Sequence, residues 1–330
     1  MPLALITGAT GFIGSHLAEH LHAKGYELRV MLRASSSDRN IKHLPLERVT
    51  ADFNDPESLQ RAVAGVDYVY HVAGATSARN RAGYFEANQI ATRNLLDAVA
   101  AVNPGLKRVV HVSSLAAVGP ATSSDRPLDE TSPLQPITTY GQSKAAAERE
   151  VTSRMKDLPL TIVRPPAVYG QRDAEIFRFF QTVARGFAPL IGFDRKLVSL
   201  VHVEDLVRGF IQAGESPAGE GQAYFISSEE FYTWEEVGRI TAEILGRSRV
   251  TNMRVPHSLV FMAGGISGFF GRFQKKPPVF NYEKGRDITR PYWICSVDKA
   301  KQQIGYRQLV SIEDGVRKTV EWYREQKWLK

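Results

Sequence analysis

One stretch near the N-terminus constrains this chain more than any other. "LALITGATGFIGSHL" (3–17) spaces Gly8, Gly11 and Gly14 three apart, between an apolar run that reads as a buried strand and a run that reads as a helix. Glycine answers a different need at each position. Gly8 permits the tight turn, Gly11 lets the backbone approach a pyrophosphate, and Gly14 lets the helix lie close on the strand. The helix N-terminus, with Phe12 and Ile13 in its first turn, offers free N–H groups and a partial positive charge to phosphates; Thr7 ends the strand. A plain strand–turn–helix is the other reading of these glycines. The fit of the context on both sides favours a dinucleotide site.

The alternation continues. "ELRVMLR" (27–33), "VDYVYHVAG" (66–74), "RVVHVSS" (108–114) and "LTIVRPPAVYG" (160–170) hold strands. Helical patterns occupy 13–25, 58–66, 85–102 and the run "PITTYGQSKAAAE" (136–148). Strands alternating with helices imply an α/β fold, a doubly wound parallel sheet of the Rossmann type with right-handed crossovers. Beyond 170 the pattern loosens, and Thr233 and Ser311 read as helix caps. The expected division is a dinucleotide-binding domain over 1–170 and a smaller α+β substrate lobe over 171–330, with about 196–214 returning to the first sheet.

Composition narrows the class. The 330 residues are 43% hydrophobic and 23% charged, with a net charge of +7. The basic residues are scattered, so an anionic small molecule, not nucleic acid, is the expected partner. One cysteine, Cys295, excludes an intramolecular disulfide and speaks against a metal site. No apolar run reaches the roughly 18 residues of a membrane span. The N-terminus shows no basic segment and cleavage site, so a cytoplasmic location is expected.

The second strand ends in "VMLRASSS". An acid there would hold a ribose 2′-hydroxyl; Arg33, with Ser35 and Ser36 behind it, suits a 2′-phosphate instead. NADP is therefore favoured and NAD remains open. Asp52, in "VTADFND", is placed to meet an adenine edge.

Tyr140 and Lys144 stand four apart in a helical run and so share a face. Alone the pair is weak evidence. It gains force from TGATGFIG (7–14), Asp52–Phe53, "HVAG" (71–74), "VVHVSSLAAVG" (109–119), "RPPAVYG" (164–170) and "VHVEDL" (201–206). In this order and spacing, over essentially the whole chain, they resemble the extended short-chain dehydrogenase/reductases, of the NAD-dependent epimerase/dehydratase type. The tone is that of the 3β-hydroxysteroid dehydrogenase and dihydroflavonol reductase branch. The resemblance implies a Ser–Tyr–Lys triad of Ser114, Tyr140 and Lys144, with Ser113 as the fallback serine. It also implies cofactor contacts from Ala73, Gly74, Pro165 and Val168, and pairing of two copies through helix 85–102 and the helix bearing Tyr140. Asn88 reads as a structural or active-site hydrogen bonder or as plain helix surface. His202 and Asp205 read as a helix start. The physical argument runs in parallel: a free tyrosine, with a pKa of about 10, is a poor base near neutrality, and a cation one turn away lowers it.

Two departures narrow the chemistry that the resemblance implies. Leu115 and Ala116 follow Ser114, where the family's sugar dehydratases carry an Asp-Glu pair. Ala167 or Pro166 stands where its nucleotide-sugar epimerases carry a substrate-binding asparagine. The expected activity is hydride transfer between nicotinamide and a secondary alcohol or ketone, on an apolar or steroid-like small molecule. A sugar epimerase and a non-catalytic cofactor-sensing scaffold are the alternatives. The apolar, glycine-rich segment 257–273, with Phe261, Phe269, Phe270 and Phe273, reads as a lid, an interfacial helix or core of the second lobe.

Overall fold

The computed structural model describes residues 1–247, 249–271 and 281–329. Its strands are β1 (Leu3–Thr7), β2 (Glu27–Leu32), β3 (Glu47–Thr50), β4 (Tyr68–His71), β5 (Arg108–Val112), β6 (Leu160–Arg164), β7 (Ala167–Tyr169), β8 (Phe187–Ile191), β9 (Leu197–His202), β10 (Gln222–Phe225), β11 (Phe231–Tyr232), β12 (Thr251–Val255) and β13 (Tyr292–Trp293). The helices that position the site are α1 (Phe12–Ala23), α2 (Pro56–Val63), α3 (Arg81–Phe85), α4 (Ala91–Val102), α5 (Leu115–Val118), α6 (Thr139–Ser153), α7 (Phe177–Ala184) and α8 (Val203–Glu215). Four more shape the second lobe: α9 (Trp234–Ile244), α10 (His257–Gly271), α11 (Tyr282–Ile288) and, after α12 (Asp298–Ile304), α13 (Ile312–Glu325).

Seven parallel strands form the main sheet in the order β3-β2-β1-β4-β5-β6-β10. Strand order reverses between β1 and β4, which opens a crevice at their carboxyl ends. Side chains alternate across the sheet, as a two-residue period requires. Ala4 and Ile6 enter the core layer that contains Leu17 and Leu21 of α1 and Val207 and Phe210 of α8. Leu5 enters the opposite layer with Leu59 of α2 and Leu95 and Val99 of α4. Each such burial contributes about 1.5–3 kcal/mol, so both helix layers are held from within.

The seventh strand, β10, lies at residues 222–225, beyond the stretch expected to return to the sheet. Within that stretch α8 packs on β5 and β6, whereas β9 pairs with β7, β11 and β13 in a second, smaller sheet. β8 and β12 form a separate parallel ribbon. Asp205, almost fully buried, accepts from the Leu309 and Val310 N–H groups and pairs with Arg208 at 2.8 Å, stapling the C-terminal segment to α8. The expected helix 85–102 is instead α3, a π-helical turn over Glu86–Ile90, and α4 in sequence. In segment 257–273, α10 packs against α11, and the Phe261 ring lies 5.2 Å from that of Tyr282. Phe273, and the side chains of Phe269 and Phe270, lie outside the described residues.

Candidate active site

The glycine turn is held by its own backbone. Gly8 has φ +73°, and a Cβ there would lie 2.8 Å from the Ala73 nitrogen. A Cβ on Gly14 would lie 2.2 Å from the Gly8 carbonyl, so only glycine lets α1 sit this close. The Thr7 hydroxyl ties the end of β1 to β4, accepting from the Ala73 N–H at 3.2 Å and bonding the His71 Nδ1 at 2.8 Å. Gly11 caps α1 without a side chain, and the first turn carries no acid. The N–H groups of Phe12, Ile13 and Gly14 therefore have no side-chain cap and no first-turn carboxylate to meet, which fits a pyrophosphate.

Most of the other expected cofactor positions follow the carboxyl ends of strands of the main sheet. Arg33 follows β2, exposed, in a turn where its N–H donates to the Ser36 hydroxyl at 3.2 Å; Ser35 is exposed beside it. Asp52 is exposed, with its N–H held by Ser58, and Phe53 lies 5.6 Å from the His71 ring. Ala73 and Gly74 follow β4. Pro165 is buried and accepts from the Leu115 N–H at 2.8 Å, while Val168 packs on the main core.

Asn88 is buried, not helix surface. The π-helical turn presents its amide to the loop after β4. Its Oδ1 accepts from the Ala75 N–H at 2.9 Å, and its Nδ2 donates to the Ala75 carbonyl and to the Ser143 hydroxyl at 2.8 Å. A side chain at Gly74 would meet Asn88. His202 caps α8, accepting from Glu204 N–H, and burial pulls its pKa down to about 4.

The two serines after β5 point apart. Ser113 donates to the buried carboxylate of Glu148, which also holds Arg164 at 2.6 Å. Ser114 caps α5, accepts from the Ala116 N–H at 3.1 Å, and stands beside the Tyr140 phenol, whose pKa it pulls down. Lys144 lies one turn below Tyr140 on α6, buried, and donates to the Val112 carbonyl at 2.6 Å. Burial pulls the Lys144 pKa down to about 8, with Glu148 opposing the shift. Beneath it the buried ring of His71, bonded to Thr7 and Thr92, has its pKa lowered to about 3 by burial and by the Lys144 charge.

The expected lowering of the Tyr140 pKa by Lys144 does not hold in this geometry. Burial pushes the half-buried Tyr140 up to about 12; Ser114 opposes this, and the charges of Glu175 and Asp287 add to it. The ammonium is directed at the Val112 carbonyl, and loss of water around the phenol outweighs it. The arrangement still has what a proton transfer to a substrate oxygen needs: a hydroxyl donor, a phenol beside it, and a desolvated cation on the same helix face as the phenol.

A cavity of about 490 Å³ opens beside this cluster, lined by Tyr84, Thr139, Gly264, Gly265, Tyr282 and Glu283 among others. The Tyr84 ring stands 6.4 Å from that of Tyr140. The sequence reading missed Glu283, whose carboxylate accepts from the Thr139 hydroxyl at 2.6 Å. No local signal marks it, because its partner is 144 positions away.

A parallel sheet with this strand order, a glycine turn after β1 and a Ser–Tyr–Lys cluster at the carboxyl end of β5 define a nucleotide-dependent enzyme class. The model of the NAD dependent epimerase/dehydratase family matches residues 4–227, and the chain belongs to that family. It is 32% identical to the ceramide reductase of Caulobacter vibrioides over 98% of this chain and 95% of that one. It is 29% identical to a 3-beta-hydroxysteroid dehydrogenase of Mycolicibacterium neoaurum, covering 97% and 91%. Among solved structures, the UDP-glucose 4-epimerase of Thermus thermophilus in complex with NAD superposes with a TM-score of 0.76 at 25% identity, covering 98% and 99%. These likenesses support an NAD-dependent oxidoreductase type of enzyme acting through the Rossmann fold. No helix among the described residues is long and apolar enough to cross a membrane.

Proposed function

We propose that this protein reduces a ketone, or oxidises the matching secondary alcohol, on an apolar amphiphilic molecule with NADP(H). The carrying observation is Ser114, at the carboxyl end of β5, beside the Tyr140 phenol, with Lys144 desolvated on the same helix face as Tyr140. When bound, the nicotinamide dinucleotide exchanges the hydride. Its phosphates would lie on the α1 N-terminus and Gly11, and its adenosine end toward Arg33, Ser35, Asp52 and Phe53. Ala73, Gly74, Pro165 and Val168 would border the ribose and nicotinamide. Tyr140 gives a proton to the substrate oxygen in reduction and takes it back in oxidation, while Ser114 donates to the same oxygen as charge develops. Lys144, fixed by Val112, holds a positive charge below them. The likeness to a ceramide reductase and a steroid dehydrogenase supports the apolar substrate, and the lack of titratable groups at Leu115 and Ala116 speaks against dehydration.

The test follows initial rates of NADPH oxidation with a long-chain 3-oxo lipid and with a 3-oxosteroid. NADPH should serve better than NADH, and Arg33→Ala should erode that preference about tenfold through loss of the 2′-phosphate contact. Product formation from a nucleotide sugar without net change in NADPH absorbance would transfer the site to an epimerase.

A further inference from the structure

Exposed apolar side chains are not scattered over this protein. Ten large hydrophobic residues are strongly exposed among the described residues, and seven of them belong to the second lobe, on or beside β8, β12, α10 and α11. Three of them lie on α10. Leu259, Met262 and Ile266 recur at helical spacing along one face, each 47–57% exposed. The other face is occupied: Val260 is buried, and Gly264 lies against the backbone of Asn281 and Tyr282 at the start of α11. Phe193, 72% exposed, stands in the loop after β8, next to Gly192, which touches His257 at the first turn of α10.

A water-facing helix normally carries charges on its outer face. The fifteen residues of α10 include no Asp, Glu, Lys or Arg. Cations flank it instead. Arg195 and Arg254 are exposed near its start, and Arg286 and Arg290 on and just after α11; Arg254 meets Glu235 only at 3.5 Å. In sequence, Arg272, Lys275 and Lys276 follow directly, within a chain of net charge +7. Two copies meeting on this face would bring like charges together, whereas an anionic phospholipid surface complements both the apolar stripe and its basic flanks.

We propose that this face of the second lobe docks on anionic phospholipid bilayers, with α10 lying in the plane of the interface. Leu259, Met262 and Ile266 enter the acyl boundary and the flanking arginines meet headgroup phosphates. The inner side of the same helix bounds the 490 Å³ cavity, where Gly264 and Gly265 face Thr139 and Tyr84. Docking therefore sets the cavity beside Tyr140 one helix thickness from the bilayer, the store from which an amphiphilic molecule would be drawn.

The full chain is sedimented with vesicles of phosphatidylcholine mixed with phosphatidylglycerol, and with phosphatidylcholine alone. The wild type should partition onto the mixed vesicles, weaken as salt is raised, and bind the neutral ones poorly. The combined variant Leu259→Ser, Met262→Ser, Ile266→Ser should lose about tenfold or more of that binding at an unchanged melting temperature, since the three side chains are already exposed. Arg195→Glu with Arg254→Glu should weaken it without touching the stripe. Absence of wild-type binding to the mixed vesicles, or equal binding by the stripe variant, overturns the proposal. So does a wild-type dimer that the stripe variant dissociates while neither binds lipid, which would make a second copy the occupant. Tyr140→Phe should bind vesicles as the wild type does, so failure of the hydride-transfer reading and failure of docking are read separately.

Discussion

The Glu283 carboxylate accepts two hydrogen bonds from Thr139, one from the hydroxyl at 2.6 Å and one from the backbone N–H at 3.2 Å. Thr139 opens α6, and Tyr140 is the next residue. A residue of the second lobe thus fixes the first turn of the helix that presents the phenol, and its negative charge lies at the helix N-terminus, where it is favoured. Glu283→Ala should cost about 1–2 kcal/mol of stability, the worth of a charge-assisted hydrogen bond at a half-buried site. It should also lower kcat several-fold with little change in NADPH affinity. Glu283→Gln, which keeps an acceptor, should recover most of kcat. Thermal melts beside steady-state rates separate the two effects.

The adjacent serines should fail in different ways. Ser113 serves the buried Glu148–Arg164 pair, so Ser113→Ala should lose about 1–2 kcal/mol of stability and keep its rate. Ser114 stands beside Tyr140, so Ser114→Ala should lose about a hundredfold in kcat, the usual cost of one donor to a developing oxyanion, and little stability. Urea unfolding and turnover of the two variants side by side check this exchange.

Lys144 carries a pH signature. Its pKa is about 8 folded and 10.5 unfolded, so between these values the unfolded chain binds more protons and stability rises with pH. The gain is about 3 kcal/mol at most, and it is complete only above the unfolded value. Lys144→Met lacks this term. Its stability relative to wild type should therefore fall as pH climbs from about 8 to 10.5. Parallel curves for the two proteins over that window would place the ammonium in a wetter setting.

Buried histidines make the same kind of prediction at the acid end. Burial lowers His71 to about 3 and His16 and His202 to about 4. Below the ordinary histidine pKa of 6.5 the unfolded chain takes up protons that the folded one refuses, so stability should drop as pH falls from about 6.5 toward 4. Each group contributes about 1.4 kcal/mol per pH unit across its window. His71→Gln, which can still bond Thr7 and Thr92, should flatten this decline, as followed by melting temperature against pH.

What could be read from the sequence was local. The β1–turn–α1 unit follows from three glycines whose spacing has one steric solution, and Tyr140 and Lys144 share a face because a helix dictates it. The remainder depended on partners far along the chain. Asn88 reaches the loop after β4 because a π-helical turn rotates it inward, and its ligands, Ala75 and Ser143, lie on other elements. β10 returns to the main sheet beside β6 from 58 or more residues away, with nothing in "QAYF" to distinguish it from a strand of the second lobe. The β8–β12 ribbon pairs segments whose periodicity is too short to be decisive. The tyrosine's environment was misjudged for a related reason. Helical spacing brings Lys144 to its face, but the competing Val112 carbonyl and the desolvation of the ring come from the tertiary structure.

The most direct test of the account is Tyr140→Phe, which removes one hydroxyl and leaves the ring, the helix and the glycine turn in place. NADPH binding, followed by fluorescence titration, should stay within a few-fold of wild type, while ketone reduction at saturating cofactor should fall by about a thousandfold, within the range that positioned proton transfer contributes. Turnover near the wild-type rate, with cofactor bound as tightly, would contradict the assignment of Tyr140 as the proton-transfer group.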